Sequence, residues 1–189
     1  RSHKTIMKPL FFITSAIGAC YGVIAPEERY IQTKRTIESI RQYAPTADIF
    51  LTDISIVKSD RMMQDIQSSV DYFKDVSDNQ LMQQYSMSQI TKSHSETLMT
   101  LLSLNTIKEN ERFNQYDRIF KMTGRMELYE GFDINAYENA NGKYVFGTKI
   151  PTWMDPPYNE CTHLYNTRLY SFDTSLIDTH IEVLNKIGD

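Results

Sequence analysis

Along this chain, short runs of consecutive apolar residues alternate with longer runs in which apolar residues recur every three or four positions. Leu10-Phe-Phe-Ile-Thr-Ser15 is of the first kind and predicts a buried strand. A loop from Gly18 to Ala25 leads into Pro26-Glu-Glu, whose proline and acids suit a first helical turn. Tyr30, Ile31, Ile37, Ile40 and Tyr43 then form an apolar stripe, with Arg35, Glu38 and Arg41 on the wetter side, so a helix is expected up to Pro45. Asp48-Ile-Phe-Leu-Thr-Asp53 is a second apolar strand and ends in a carboxylate. Strand, helix, strand in this order builds a parallel sheet.

The pattern continues with a helix over 57–70 and a short strand over 72–76, while the Gln-rich stretch 78–90 has no clear periodicity. Ser93-His-Ser-Glu96 matches a capping box, which predicts a helix from about Ser95 to Lys108 and makes Glu96 a cap rather than a catalyst. A strand over 118–122 follows, then a turn or short helix over 132–137, an Asn141-Gly142 turn and a strand over 144–146. Residues 151–163 hold three of the six prolines and the only tryptophan, Trp153, and predict a structured loop. A strand over 168–172 and a helix over 175–187, capped by Thr174 or Ser175, complete a single α/β domain over residues 9–189. Residues 1–8 are read as a tag remnant and leader.

An apolar content of 41% with 12% aromatic residues calls for a packed core. A net charge of −4 argues against nucleic acid as partner but leaves room for a local basic cleft that holds a small anion. The apolar run 9–17 is about half the length of a membrane-spanning helix, so no membrane insertion is expected. Cys20 and Cys161 are read as reduced thiols, which favours a cytoplasmic setting, and His94 and His163 lack zinc-ligand spacing.

The candidate chemistry lies in Tyr116-Asp-Arg-Ile-Phe-Lys-Met-Thr-Gly-Arg-Met-Glu-Leu128, where an apolar strand delivers Thr123, Gly124 and Arg125 to a sheet edge. Open α/β sheets bind ligands outside the carboxyl ends of their strands, and glycine there permits close approach. The chain contains no Asp-x-Asp pair to clamp a divalent metal.

The order of elements from Leu10 to Asp133, with Tyr116–Met122 followed by Leu128 and Phe132-Asp133, resembles the nucleotide-binding half of GT-A glycosyltransferases. The resemblance implies a GT-A, Rossmann-like three-layer sandwich with a central, mostly parallel sheet flanked by helices. It also implies a UDP- or GDP-sugar donor and a glycan or other hydroxyl acceptor. Thr14, Ser15 and Ala16 then contact the nucleotide base through main-chain groups, and Arg29 and Gln32 lie within reach of the same pocket, against a plain reading as exposed helix residues. Tyr21 stacks on the base or closes the loop above it; Asp53 holds base or ribose, or alternatively caps a turn. Thr123 and Gly124 line the diphosphate.

Where the family carries an acidic motif, this chain has Thr123-Gly-Arg-Met-Glu127, so the expected transferase is metal-independent and needs no cofactor beyond its donor. Positive charge would come from Arg125, Lys121 or Lys92, unless Arg125 merely pairs with Glu127 or Glu130 on the surface. Trp153 is a sugar platform or a core cover, and Asp155, Glu160, His163 and Asp173 are candidate bases toward the acceptor. The resemblance leaves room for an acceptor-binding part beyond Asp189. Two other readings stand beside this one: a nucleotide- or glycan-binding domain without catalysis, and a nucleotidyltransferase, for which Ser15-Ala-Ile-Gly18 is a poor phosphate loop.

Overall fold

The structure is a computed structural model that describes residues 7–19, 22–87, 92–147, 149–151 and 163–188. Its elements are β1 (Pro9–Ser15), α1 (Pro26–Tyr43), β2 (Asp48–Asp53), α2 (Asp60–Ser69), β3 (Tyr72–Asp75), α3 (Gln80–Ser86), α4 (Lys92–Glu109), β4 (Arg118–Thr123), β5 (Tyr144–Phe146), β6 (Lys149–Pro151), β7 (His163–Tyr165), β8 (Leu169–Asp173) and α5 (Ile177–Gly188). One sheet runs in the order β3-β2-β1-β4-β8-β5. Its first four strands are parallel, and β8 is antiparallel to both of its neighbours. β6 and β7 form a separate antiparallel ribbon.

Period-two alternation explains the three layers. Leu10 and Phe12 of β1, Phe50 of β2 and Ile119 of β4 pack with Leu104 and Ile107 of α4 and with α5. Phe11 and Ile13, Ile49 and Leu51, and Phe120 and Met122 turn the other way, against Ile37 and Ile40 of α1 and Ile66 of α2. Every residue of β1 is buried, as a central strand covered on both faces requires. The rings of Phe11 and Phe120 stack at 4.8 Å across the β1/β4 seam. A smaller core of Ile54, Val76, Met82 and Met99 lies under α3. Arg118 is buried within the sheet and donates to three neutral acceptors: Ser171 Oγ and the carbonyls of Ala140 and Lys143.

The structure alters four expectations. The inner stripe of α1 is Arg29, Thr33, Thr36, Ile37 and Ile40, while Ile31 is exposed, because residues four apart share a face and Ile31 falls off that line. α2 begins at Asp60 rather than residue 57, since the amides of Ile56 and Val57 are drawn to the carbonyl of Gly18. The Gln-rich stretch holds α3, capped by Asn79, whose side chain accepts from the Met82 amide at 3.0 Å. Asp173, not Thr174 or Ser175, caps the 3-10 turn before α5, and the Thr174 hydroxyl donates instead to the carbonyl of Tyr116. The Asn141-Gly142 turn is present, with Gly142 at φ +64°. Among the described residues, no helix is long and apolar enough to cross a membrane.

Candidate functional site

β1 hands the chain to β2 on one side and has β4 on the other, so the β1/β4 seam is the point where strand order reverses. Open parallel sheets bind ligands at the carboxyl end of such a seam. A cavity of about 340 Å³ opens there, its floor made by Thr14, Ser15 and Ala16 after β1 and by Thr123, Gly124 and Arg125 after β4. The two strand ends are tied by the Gly124 amide, which donates to Thr14 O at 2.9 Å. A Cβ on Gly124 would stand only 3.1 Å from that same oxygen, so the glycine serves this close backbone approach.

α1 contributes one wall. Arg29 is not the exposed helix residue that its plain reading supposes. It is 6% exposed, its Nε donates to Ile24 O at 3.1 Å and its Nη1 to Ala16 O at 3.2 Å. These bonds fix the guanidinium beside the residues that follow β1. Burial lowers its pKa, and the nearby charge of Arg125 lowers it further, although an arginine remains protonated at neutral pH. One turn on, Thr33 Oγ1 lies 2.9 Å from Arg29 O and 3.0 Å from Gly124 O, which joins α1 to the β4 turn. Arg125 is exposed in the cavity and pairs with neither Glu127 nor Glu130; no carboxylate of the described residues reaches ion-pairing distance of it.

α4 contributes the opposite wall and corrects two assignments. Lys121 is not free to meet a diphosphate: it is buried beneath the cavity and its Nζ is ion-paired to Glu96 Oε1. α4 begins at Lys92, so Glu96 stands in its second turn rather than at the capping position, and the same oxygen also accepts from Thr14 Oγ1 at 3.4 Å. Burial opposes ionisation of Glu96, but the Lys121 charge and the hydrogen bonds from Lys121 and Thr14 outweigh it, and Arg125 adds to the pull. The carboxyl therefore sits below its usual range.

Two other expected residues stand elsewhere. Asp53 is fully buried beside the seam and outside the cavity wall. It accepts from the Ile17 amide at 3.2 Å and the Ser55 amide at 2.7 Å, which is the turn-holding role of a strand-end aspartate. Burial raises its pKa in spite of these bonds. Asp173 pairs in register with Arg118 at the start of β4, so it lies at the amino edge of the sheet, about 16 Å of strand from Thr123. There it accepts from the amides of Gly142 and Ser175, which removes it from the acceptor side of the site.

Tyr21, Trp153, Asp155, Glu160 and both cysteines lie outside the described residues, as do the side chains of Lys92 and His163. Ser95, which the sequence marks only as a helix start, also lines the cavity, and so do Thr33, Ile54 and Met99, to which the sequence assigns no role there. Thr33 was legible only as the residue one turn after Arg29; the other two are apolar and carried no signal beyond core packing.

The described residues do not fit a divalent cation. They bring one carboxylate, already engaged by Lys121, together with two guanidinium groups, and no cluster of three metal-ligating side chains occurs among them. Glu109-Asn-Glu111, where two acids do stand one residue apart, begins at the far end of α4, about 20 Å of helix from Glu96.

No protein-family model and no curated protein matches the chain. Among solved structures, core-mannan synthase A of Aspergillus fumigatus in its Mn/GDP form is similar with a TM-score of 0.57 and 9% identity, covering 100% of this chain and 66% of its own. The 4-diphosphocytidyl-2C-methyl-D-erythritol synthase of Anaerococcus prevotii is similar with a TM-score of 0.52 and 16% identity, covering 94% of this chain and 74% of its own. The chain thus spans about two thirds of the mannan synthase. At such identities the shared property is the fold, and the molecule has the GT-A-like, Rossmann-like α/β architecture with its cavity where such sheets place their ligands.

Proposed function

We propose that this protein is a glycosyltransferase that binds a nucleoside diphosphate sugar, a UDP- or GDP-sugar, between β1 and β4 and transfers the sugar to a hydroxyl of a glycan or other acceptor. One observation carries the reading: at the switch point of a GT-A-like sheet, Arg125 presents to the cavity a guanidinium that no described carboxylate ion-pairs. In the reaction, the bond from the anomeric carbon to the β-phosphate oxygen breaks and the nucleoside diphosphate leaves with the electron pair. Arg125 takes that charge through its bidentate fork, and Arg29 reinforces it from the α1 wall. The acceptor hydroxyl attacks and gives its proton to a base, for which Asp155, Glu160 and His163 remain candidates, with the Trp153 ring as sugar platform. Guanidinium charge replaces the divalent ion, so turnover is expected without added metal.

The test is release of nucleoside diphosphate from a panel of UDP- and GDP-sugars with mixed glycan acceptors, in EDTA and in Mn²⁺. Release in EDTA supports the proposal. Nucleotide binding without release from any donor would favour the binding-domain alternative. A second reading, nucleotidyl transfer, draws on the similarity to the diphosphocytidyl synthase and would release pyrophosphate from a nucleoside triphosphate. The loop after β1 speaks against it: the Gly18 amide donates to Ser55 Oγ at 2.8 Å and is not offered to a phosphate.

A further inference from the structure

The cavity has a cationic wall and an anionic one. Arg29 and Arg125 come from α1 and the turn after β4; Glu96 comes from α4, on the opposite face of the sheet. An ionised carboxylate repels phosphate and can only accept hydrogen bonds. Its Oε1 is occupied by Lys121 and Thr14, whereas Oε2 has no hydrogen-bond partner among the described residues, and half of the side chain is accessible at the cavity. Lys121, only 4% exposed, needs this partner because a buried unpaired charge is costly. The lysine therefore holds the carboxylate ionised and oriented before any ligand arrives.

We propose that Glu96 Oε2 accepts from the uncharged part of the bound nucleotide, a ribose hydroxyl or a base N–H. The nucleotide then lies across the sheet edge, its nucleoside against α4 and its phosphates against Arg29 and Arg125. This rests on the nucleotide-binding reading above and adds to it an orientation and a residue that reads the nucleoside.

The experiment is calorimetric titration of the whole chain with UDP, GDP and inorganic pyrophosphate. Glu96→Gln turns an acceptor into a site that presents an amide donor, and nucleotide affinity should fall about 10- to 100-fold, the worth of one hydrogen bond to a charged group. Because Lys121 is then left with a neutral partner, the double variant Glu96→Leu/Lys121→Met is measured as well; it removes both acceptor oxygens and keeps the net charge of the site. It should lose nucleotide affinity to the same extent while pyrophosphate affinity stays within about twofold.

The wild-type protein supplies a check free of variants, using 2′-deoxy, 3′-deoxy and base-N-methylated nucleotides. The donor whose removal costs about tenfold or more identifies the contact as ribose or base. If none does, or if the folded double variant binds nucleotide as the wild type does, or loses pyrophosphate equally, Glu96 is only the counterion of Lys121 and the proposal is overturned. If the wild type binds neither nucleotide nor pyrophosphate, the nucleotide-binding reading itself falls, which is a distinguishable result.

Discussion

Arg125 and Arg29 are both arginines at one cavity, yet they are held in different ways. Arg29 is buried and bonded to two carbonyls, while Arg125 stands exposed with no acid in reach among the described residues. Arg125→Ala should therefore leave the fold intact and weaken binding of a nucleoside diphosphate by about 1.5–3 kcal/mol, measured by calorimetry. Unchanged affinity would remove Arg125 from the site. Asp53 makes the opposite case, since its oxygens hold the Ile17 and Ser55 amides in a fully buried turn. Asp53→Ala should destabilise the chain by about 2–5 kcal/mol in urea unfolding by leaving buried donors unpaired. Asp53→Asn, which keeps an acceptor, should bind nucleotide as the wild type does; a tenfold loss in that variant would place the carboxylate on the ligand.

The sequence shows which residues end a strand, but not which way a polar side chain at that end turns. Thr14, Ser15, Ala16, Thr123, Gly124 and Arg125 were legible because the carboxyl end of an apolar run is a position in the fold. Glu96 and Lys121 were not, because 25 residues separate the partners and only the packing of α4 on β4 brings them together.

At the scale of elements, the two loops that leave β1 and β2 are locked to each other at Gly18. A Cβ at Gly18 would stand 1.7 Å from the Val57 carbonyl oxygen, whose residue itself bonds back to Gly18. Gly18→Ala should thus force the backbones apart and cost more than about 3 kcal/mol, seen as a large fall in the urea midpoint. Gly124→Ala meets Thr14 O at 3.1 Å and should cost about 1 kcal/mol. Equal effects of the two substitutions would contradict this ranking.

Strands and helices of the sheet core were legible from period, because burial on one or two faces imposes it. The polar inner stripe of α1 was not, since Arg29 and Thr33 line the cavity and Thr36, also buried, donates back to Gln32 O, so all three break the apolar pattern. α3 has no such pattern for a related reason: it is seven residues long and buries only Met82, too little to set a period. The cap at Asn79 was the one available signal.

For the whole molecule, the second core layer contains a titratable group that does not line the cavity. His180 of α5 is 9% exposed, stacked on Phe172 at 4.7 Å, with its Nε2 2.9 Å from the Tyr170 hydroxyl. Burial disfavours the imidazolium and pulls its pKa from 6.5 down to about 4. The unfolded chain therefore takes up a proton at a pH where the folded chain does not. Stability from this residue is complete above pH 6.5 and is lost as the pH falls toward 4, about 2 kcal/mol of it between 6.5 and 5. Urea unfolding across that range should show the loss, and His180→Phe should flatten it; an equal slope in the variant would assign the loss to other groups.

In the proposed function, guanidinium charge at the β1/β4 seam meets the nucleotide in place of a metal. Calorimetric titration of the chain with UDP, GDP and CMP, each in EDTA and in Mn²⁺, tests it most directly. At least one nucleoside diphosphate should bind in EDTA with an affinity that Mn²⁺ does not improve tenfold. Binding that appears only with Mn²⁺, or no binding in either condition, would contradict it.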